Sequence, residues 1–177
     1  IHNSTFSGNR SAQGAGLSIY GAAASATIVN STIAYNHTAD AAGASIPGAY
    51  AGGIQNYLGS ATLHNTIVAQ NEANNTTFHD VWGNLSGGGT SSHNLIGQTA
   101  TSGLANGSPL NNQVGGVSGG PRLDPKLSPT LADNGGPTKT HALLPTSSAI
   151  DAGSAARATA VGLTHDQRGA NYNRQVI

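Results

Sequence analysis

The stretch NSTFSGN, residues 3–9, places two asparagines six positions apart around small polar residues and one bulky apolar residue. It returns as NSTIAYN at residues 30–36 and as NTIVAQN at residues 65–71, at spacings of 27 and 35 residues. Internal similarity at such spacings is typical of chains built from stacked repeats. The heptapeptide therefore indicates a repetitive fold.

Apolar residues occupy fixed positions around each heptapeptide. One stands two positions before the first asparagine, and another stands three positions after it. Apolar columns at fixed offsets are what stacked repeats need, because each repeat buries its apolar face only against its neighbours. The predicted core columns are Ile1, Ile28 and Leu63, and Phe6, Ile33 and Val68.

The asparagines form two further columns. Asparagine tolerates the left-handed backbone of tight turns, and amides stacked at the strand spacing of about 4.8 Å can bond to one another. A glycosylation acceptor at the first N-x-[ST] triplet is the less favoured interpretation, because a ladder asparagine is partly buried. The predicted ladders are Asn3, Asn30 and Asn65, and Asn9, Asn36 and Asn71.

A second candidate strand follows each of the first two heptapeptides. GAGLSIY at residues 14–20 matches AGGIQNY at residues 51–57, and a protruding loop is predicted around Pro47 and Gly48. Residues 1–98 therefore predict an all-β chain folded as a right-handed parallel β-helix, a solenoid of about three coils. A leucine-rich repeat fits the period, but its L-x-x-L-x-L run is missing.

The rest of the chain differs in composition. Residues 99–120 are rich in Gly, Ser and Asn and are predicted to form a loop. Residues 121–177 hold ten of the fourteen charged residues and five of the seven prolines. This segment predicts an irregular, extended Pro/Gly-rich cap over the solenoid end. We expect Asp151, Asp166 and Arg168 to form an ion pair that pins the cap.

Composition excludes several classes of partner. Charged residues make up 8% of the chain and the formal net charge is zero, which argues against nucleic-acid binding. No apolar run approaches the roughly 20 residues of a membrane-spanning helix. The sequence contains no cysteine, so disulfides and thiolate metal sites are excluded.

Candidate catalytic groups are few. The charged residues before position 121 are Arg10, Asp40, Glu72 and Asp80, and we assign no two of them to one repeat column. Without paired carboxylates, neither a glycosidase nor a lyase site is predicted within this chain. The seven histidines form no H-x-H pair, so we predict no metal and no cofactor. DNGGP at residues 133–137 predicts a turn rather than a calcium site.

Two aromatic residues are candidates for ligand stacking. Trp82, the single tryptophan, either plugs the core or stacks on a sugar. Tyr35 belongs to an outward column. A flat threonine array for ice binding is the least favoured alternative, because the column that begins at Thr5 changes to Ile67 in the third repeat.

Further motifs extend the pattern. They are HNLIG at residues 93–97, DP at 124–125, LADNGGPTKTHALLPTSSAIDAG at 131–153 and DQRG at 166–169. With the three heptapeptides, they make the chain resemble the C-terminal part of the choice-of-anchor Q domain proteins. These are bacterial surface or secreted parallel β-helix proteins, similar to polymorphic outer-membrane protein repeats. The resemblance implies an extracellular or cell-surface location, further coils upstream and a signal peptide outside this sequence.

We therefore expect a non-catalytic extracellular structural or adhesive module, such as a subunit of a larger surface assembly. Its expected partners are proteins of that assembly or cell-surface glycans, with no nucleic acid and no membrane insertion by this segment. The alternative is a carbohydrate-binding or carbohydrate-active β-helix protein whose site lies in coils outside this chain.

Overall fold

The computed structural model describes residues 1–39, 50–73, 80–85, 89–99, 101–116 and 120–173. The predicted loop at Pro47 and Gly48 lies outside these ranges, as does Asp40. The described residues form short strands and one helix, α1 (Ala155–Thr159). The strands are β1 (Thr5–Ser7), β2 (Arg10–Ser11), β3 (Leu17–Tyr20), β4 (Ser25–Val29), β5 (Thr32–Ala34), β6 (His37–Thr38), β7 (Ile54–Tyr57), β8 (Ser60–His64), β9 (Ile67–Ala69), β10 (Glu72–Ala73), β11 (Val81–Trp82), β12 (Leu95–Ile96) and β13 (Gln113–Val114).

The strands pair in parallel and form four short sheets. The largest sheet has the order β1-β5-β9-β12-β13. Two three-stranded sheets have the orders β2-β6-β10 and β3-β7-β11, and β4 pairs with β8. The predicted all-β class is thereby confirmed. Equivalent strands of successive repeats lie side by side, which accounts for the internal similarity of the sequence.

The apolar columns lie in register across the sheets. Phe6 pairs with Ile33, Ile33 with Val68, and Val68 with Ile96. Ile33, Val68 and Ile96 are fully buried, whereas Phe6 in the first strand is only half-buried. In the other predicted column Ile28 and Leu63 are fully buried, and Ile1 is 41% exposed. Burial therefore increases from the first repeat inward.

The segment predicted to be a strandless loop, residues 99–120, contains β13. This strand pairs with β12 in register, and so extends the largest sheet beyond the predicted three coils. Asn94 and Asn112 each precede these strands at equivalent positions, but they are only 18 residues apart. A search for repeats near 27 residues misses so short a spacing.

The C-terminal segment lies along the outer face of the largest sheet, and the prediction that it covers the solenoid end needs correction. Thr5 Oγ1 donates to Gln167 Oε1 at 2.7 Å, and Gln113 Nε2 donates to Ser148 O at 2.7 Å. These contacts join the segment to the first and last strands of the sheet. The reason is the outward column, which becomes apolar at Ile67 and continues with Leu95, a residue only 3% exposed under this cover.

The predicted ion pair of the C-terminal segment is partly formed. Arg168 Nη2 and Asp166 Oδ2 are 2.6 Å apart, and the guanidinium lies 3.9 Å from the ring centroid of Tyr172. Asp151 is not part of this pair. Because Asp166 and Arg168 are two residues apart, their contact shapes the segment locally and does not attach it to the sheets.

Glycine is required where sheets meet at a corner. Gly53 is buried, and a Cβ added there would collide with the carbonyl oxygen of Asp80, which accepts a hydrogen bond from the amide of Ile54. At Gly153 the nearest atom to an added Cβ is Asn65 Cγ at 3.7 Å, an ordinary contact distance. The two positions differ only in the space that the structure leaves.

We predict that Gly53→Ala lowers the free energy of unfolding by about 1–3 kcal/mol, because the backbone must shift to admit the methyl group. The matched control Gly153→Ala is expected to be neutral or slightly stabilising, since alanine restricts the unfolded chain. Urea unfolding of both variants measures the difference. Equal stability of the two variants would contradict this account of the corner.

Candidate functional site

A ladder of buried amides follows the second asparagine column. In each step the backbone N–H and the side-chain Nδ2 of one residue both donate to Oδ1 of the next. The ladder runs from Asn9 to Asn36 to Asn71, with donor–acceptor distances of 2.8–3.0 Å. It continues to Asp80, whose Oδ1 accepts both bonds from Asn71 at 2.8 and 2.9 Å.

The first predicted asparagine column has a different role. Asn3, Asn30 and Asn65 adopt left-handed backbone with φ of 46°, 54° and 50°, which forms the turn before each strand. Asn65 Nδ2 donates to Asn30 Oδ1 at 2.8 Å, and Asn3 Nδ2 donates to His165 O. These side chains are half-buried and face the C-terminal segment.

A second buried ladder, which the sequence analysis did not predict, lies one position further along. Thr66 N donates to Asn94 Oδ1 at 3.0 Å, and Asn94 donates to Asn112 Oδ1 through both nitrogens. Ser4 N donates to Ser31 Oγ in the same way. The signal was present in the sequence, since Ser4, Ser31 and Thr66 each directly follow the first asparagine of a heptapeptide.

Asp80 places a carboxyl group in the interior at the end of the first ladder. Its side chain is fully buried, and Oδ2 lies 3.8 Å from Arg122 Nη2. Burial raises the pKa of Asp80 to about 6, against the hydrogen bonds from Asn71 and the positive charge of Arg122, which lower it. Arg122 also donates to the carbonyl of Asn71, so one C-terminal side chain closes the ladder.

We predict that Asn36→Ala costs about 3 kcal/mol or more of unfolding free energy. The substitution removes the acceptor of both Asn9 bonds and leaves the carbonyls of Phe6 and Ala34 without the Nδ2 donor. Asn9→Ala at the exposed end of the ladder is the graded control, with an expected cost of about 1 kcal/mol. Chemical denaturation measures both, and a larger loss for Asn9→Ala would refute the ladder's role.

We predict that Asp80 makes the protein less stable as pH rises from about 4 to about 6. The folded-state pKa of about 6 lies above the ordinary value of 3.8, so the folded chain holds this proton more tightly than the unfolded chain. The resulting loss is about 3 kcal/mol and is complete above pH 6. Asp80→Asn keeps the Oδ1 acceptor and is expected to remove this loss.

Urea unfolding of the wild type and Asp80→Asn at pH 4 and pH 7.5 tests this expectation. The advantage of the variant should be small at the lower pH and reach about 3 kcal/mol at the higher pH. Burial lowers the pKa of both His64 and His93, but these residues are common to the two proteins and cancel in the difference. A pH-independent difference would show that Asp80 is not the titrating group.

The first strands of three sheets form an open edge. β1, β2 and β3 each lie at the outside of their sheet, and within the described ranges no further strand pairs with their free side. Tyr20, at the end of β3, is 71% exposed. Asn9 Oδ1 occupies the position that accepts two hydrogen bonds in every later step of the ladder, and it has no partner among the described residues. We call this surface the open edge.

Three charged or titratable side chains form a column that the sequence analysis missed. Arg10 pairs in register with His37, and His37 pairs with Glu72, across β2, β6 and β10. The assignment of Arg10 and Glu72 to different columns was wrong. All three residues directly follow the second asparagine of a heptapeptide, which is the signal that identifies them.

This column borders a cleft of about 310 Å³, which we call the charged cleft. The opposite wall is the corner formed by Gly8, Tyr35 and Gln70, all with positive φ. Tyr35 OH donates to Leu127 O at 3.1 Å, and Gln70 Nε2 donates to Asp124 Oδ1 at 3.3 Å, so the C-terminal segment supports this wall. An added Cβ at Gly8 would meet no atom within 4 Å, which leaves that end of the cleft open.

A serine–histidine contact lies beside the charged cleft. Ser7 Oγ and His141 Nε2 are 2.7 Å apart, and His141 Nδ1 lies 2.8 Å from Ser128 O. Because a carbonyl only accepts, Nδ1 carries a proton and donates to Ser128 O. Tyr35 packs on the imidazole with ring centroids 4.8 Å apart. The contact joins the C-terminal segment to β1.

The aromatic candidates stack on one another. Trp82 lies between Tyr50 and Tyr57, with ring centroids 4.2 and 6.1 Å away, and Tyr57 stacks on Tyr20 at 5.1 Å. Trp82 is half-exposed, so it is not the predicted core plug. Trp82 thus stacks on tyrosines, and Tyr20 at the end of the stack, with Tyr57 as its stacked neighbour, is 71% exposed.

A larger cavity, of about 460 Å³, lies between the largest sheet and the C-terminal segment. Its wall combines the apolar side chains of Ile67 and Leu95 with polar groups that include His93 and Asp151. Burial and the nearby Arg157 lower the pKa of His93. The cavity therefore presents a neutral imidazole at physiological pH.

Neither a metal-binding cluster nor a membrane-spanning helix occurs among the described residues. Among the described residues no group of three or more His, Cys, Asp and Glu side chains could hold a metal ion. The described part of the chain also contains no helix long and apolar enough to cross a membrane. Comparison of the chain with protein-family models, with curated proteins and with solved structures found no match.

Proposed function

We propose that the chain is a non-catalytic structural module of an extracellular surface assembly, folded as a right-handed parallel β-helix. The parallel, in-register pairing of successive repeats supports the β-helix. Right-handed connections are the rule between parallel strands of one sheet, in about 98% of cases, which supports the hand. The resemblance to choice-of-anchor Q domain proteins stays a prediction, and the surface location depends on it.

The open edge is the observation that carries this proposal. Its backbone groups and the side-chain oxygen Oδ1 of Asn9 have the arrangement that receives the next repeat at each inner step of the ladder. The occupant that fits is a parallel β-strand followed by an asparagine, from an earlier repeat of the same protein or from a partner, because such a strand supplies both donors to Asn9 Oδ1. Addition of a strand to an exposed sheet edge is a common mode of protein recognition.

The polar character of the chain agrees with a structural role. Charged residues are scarce, and the buried polar groups of the ladders bond to one another rather than converging on a reaction centre. The exposed aromatic edges of Tyr20 and Tyr57 lie next to the open edge and add apolar area to a docking partner. Protein partners are therefore favoured over soluble substrates at this surface.

We expect a peptide with the sequence of residues 27–36 to bind the open edge. It contains a strand equivalent to β1 followed by Asn36, which is the combination that the open edge accepts. Titration of the isotope-labelled protein with this peptide should shift the amide signals of Ser7 and Asn9. The same peptide with Asn36→Ala is the matched control and should bind more weakly by about tenfold. Equal effects of the two peptides, or shifts elsewhere only, would refute the docking role.

The native mass of the protein isolated from its source tests the assembly itself. Recovery in a stoichiometric complex is the expected result. Recovery as a free monomer would contradict the proposed assembly, whatever the peptide does.

A further inference from the structure

We propose that the charged cleft binds a saccharide that carries a carboxylate group. The cleft lies on the outer surface of the β2-β6-β10 sheet, and Arg10 and Glu72 mark its two ends. Neither of these side chains forms an ion pair or a hydrogen bond with another described residue. Two opposite charges are thus held in register on a sheet and left available to a ligand.

The exposed charges among the described residues before position 121 are concentrated at this cleft. Four charged residues precede position 121, of which Asp40 lies outside the described ranges and Asp80 is buried. The remaining two, Arg10 and Glu72, share one column and one cleft. His37 lies between them in the column, so the backbones of Arg10 and Glu72 are two strand spacings apart, roughly 10 Å. Their charges therefore act on different parts of a bound molecule.

The lining of the cleft selects the chemistry of the ligand. It contains charged, amide, imidazole and phenol groups and a glycine, and no aliphatic side chain among the described residues. Such a surface offers donors and acceptors to hydroxyl groups and little area to a lipid or an apolar peptide. A ring such as that of Tyr35 can also pack against the C–H face of a sugar.

The two ends of the cleft give the ligand a direction. The guanidinium of Arg10 can hold a carboxylate through two parallel hydrogen bonds. Glu72 accepts hydrogen bonds from hydroxyl groups and repels a second anion, while the charge of Asp124 beyond Gln70 is compensated by Lys126 at 2.8 Å. A sugar acid therefore fits at the Arg10 end, with a neutral or hydroxyl-rich unit toward Glu72. A polyphosphate is disfavoured by Glu72.

The scaffold prepares the site in advance. Gln70 is tied to Asp124 and Tyr35 to Leu127, while buried ladder bonds hold the strands that carry Arg10 and Glu72. Wall groups that are already ordered lose little conformational entropy when the ligand arrives, whereas the side chains of Arg10 and Glu72 become ordered on binding. The C-terminal segment thus supports one wall of the cleft without filling it.

Calorimetric titration with trigalacturonic acid and with neutral maltotriose tests the site on the intact chain. We expect the acidic trisaccharide to bind at least tenfold more tightly than the neutral one, and Arg10→Gln to remove that preference. Lys139→Gln removes an equal charge from an exposed position outside the cleft, and should leave the binding unchanged. Each variant is first compared with the wild type by its thermal unfolding curve.

Three results would overturn the inference. They are no saturable heat from trigalacturonic acid at about 10 mM, equal affinities of the two saccharides for the wild type, or equal losses in Arg10→Gln and Lys139→Gln. Glu72→Gln adds an independent readout at the other end of the cleft, since it should weaken both saccharides and keep their ratio. The two surfaces adjoin at Asn9 and Arg10, but the peptide effect depends on Asn9 Oδ1 and the saccharide preference on the Arg10 guanidinium, so the two proposals can fail separately.

Discussion

The buried amide ladder is the constraint on which the rest of the structure depends. A corner between two sheets leaves a backbone N–H in the interior, where it must find an acceptor. Asn36 provides that acceptor for the repeat before it and receives the same acceptor from Asn71. Because each step uses both a backbone and a side-chain donor, a slip of one residue would leave two buried donors unpaired. The ladder therefore fixes the parallel register that the apolar columns alone only favour.

The two ends of the ladder are chemically different. At one end, Asp80 replaces asparagine and accepts without donating onward, and Arg122 from the C-terminal segment compensates its charge. At the other end, Asn9 retains a free acceptor next to strands with unpaired edges. The Asp80–Arg122 ion pair ends this amide column, although the largest sheet continues beyond it through β12 and β13. At the other end, Asn9 Oδ1 can accept two hydrogen bonds from a further strand.

The sequence predicted the repeat columns well, but it did not predict the residue that ends the amide ladder. Leu63 and Val68 were placed in the core by their spacing from Asn65, because side-chain alternation along a strand is a local property. Asp80 was not recognised as a ladder member, because only nine residues separate it from Asn71 and no heptapeptide surrounds it. Such a position depends on how the intervening chain loops back, which periodicity does not encode.

The packing of the C-terminal segment could not be predicted from local sequence patterns, for a related reason. Its contacts, such as Asn65 with Ser154 and Ser7 with His141, join residues 89 and 134 positions apart without any repeated spacing. Composition indicated a covering element, since prolines prevent regular helix and sheet. Which surface it covers is decided by the outward column, where Leu95 needs shelter from water.

The corner that builds the ladder also builds the charged cleft. A residue with positive φ, Tyr35 or Gln70, turns the chain so that its own side chain points outward and the next, Asn36 or Asn71, points inward. Strand alternation then directs the following residue outward again, which places His37 and Glu72 opposite the corner wall. One backbone conformation, repeated at Gly8, Tyr35 and Gln70, thus produces both the interior hydrogen-bond column and the exterior cleft. Exterior residues in that groove can change without disturbing the ladder, so a single scaffold can carry both structural stacking and ligand recognition.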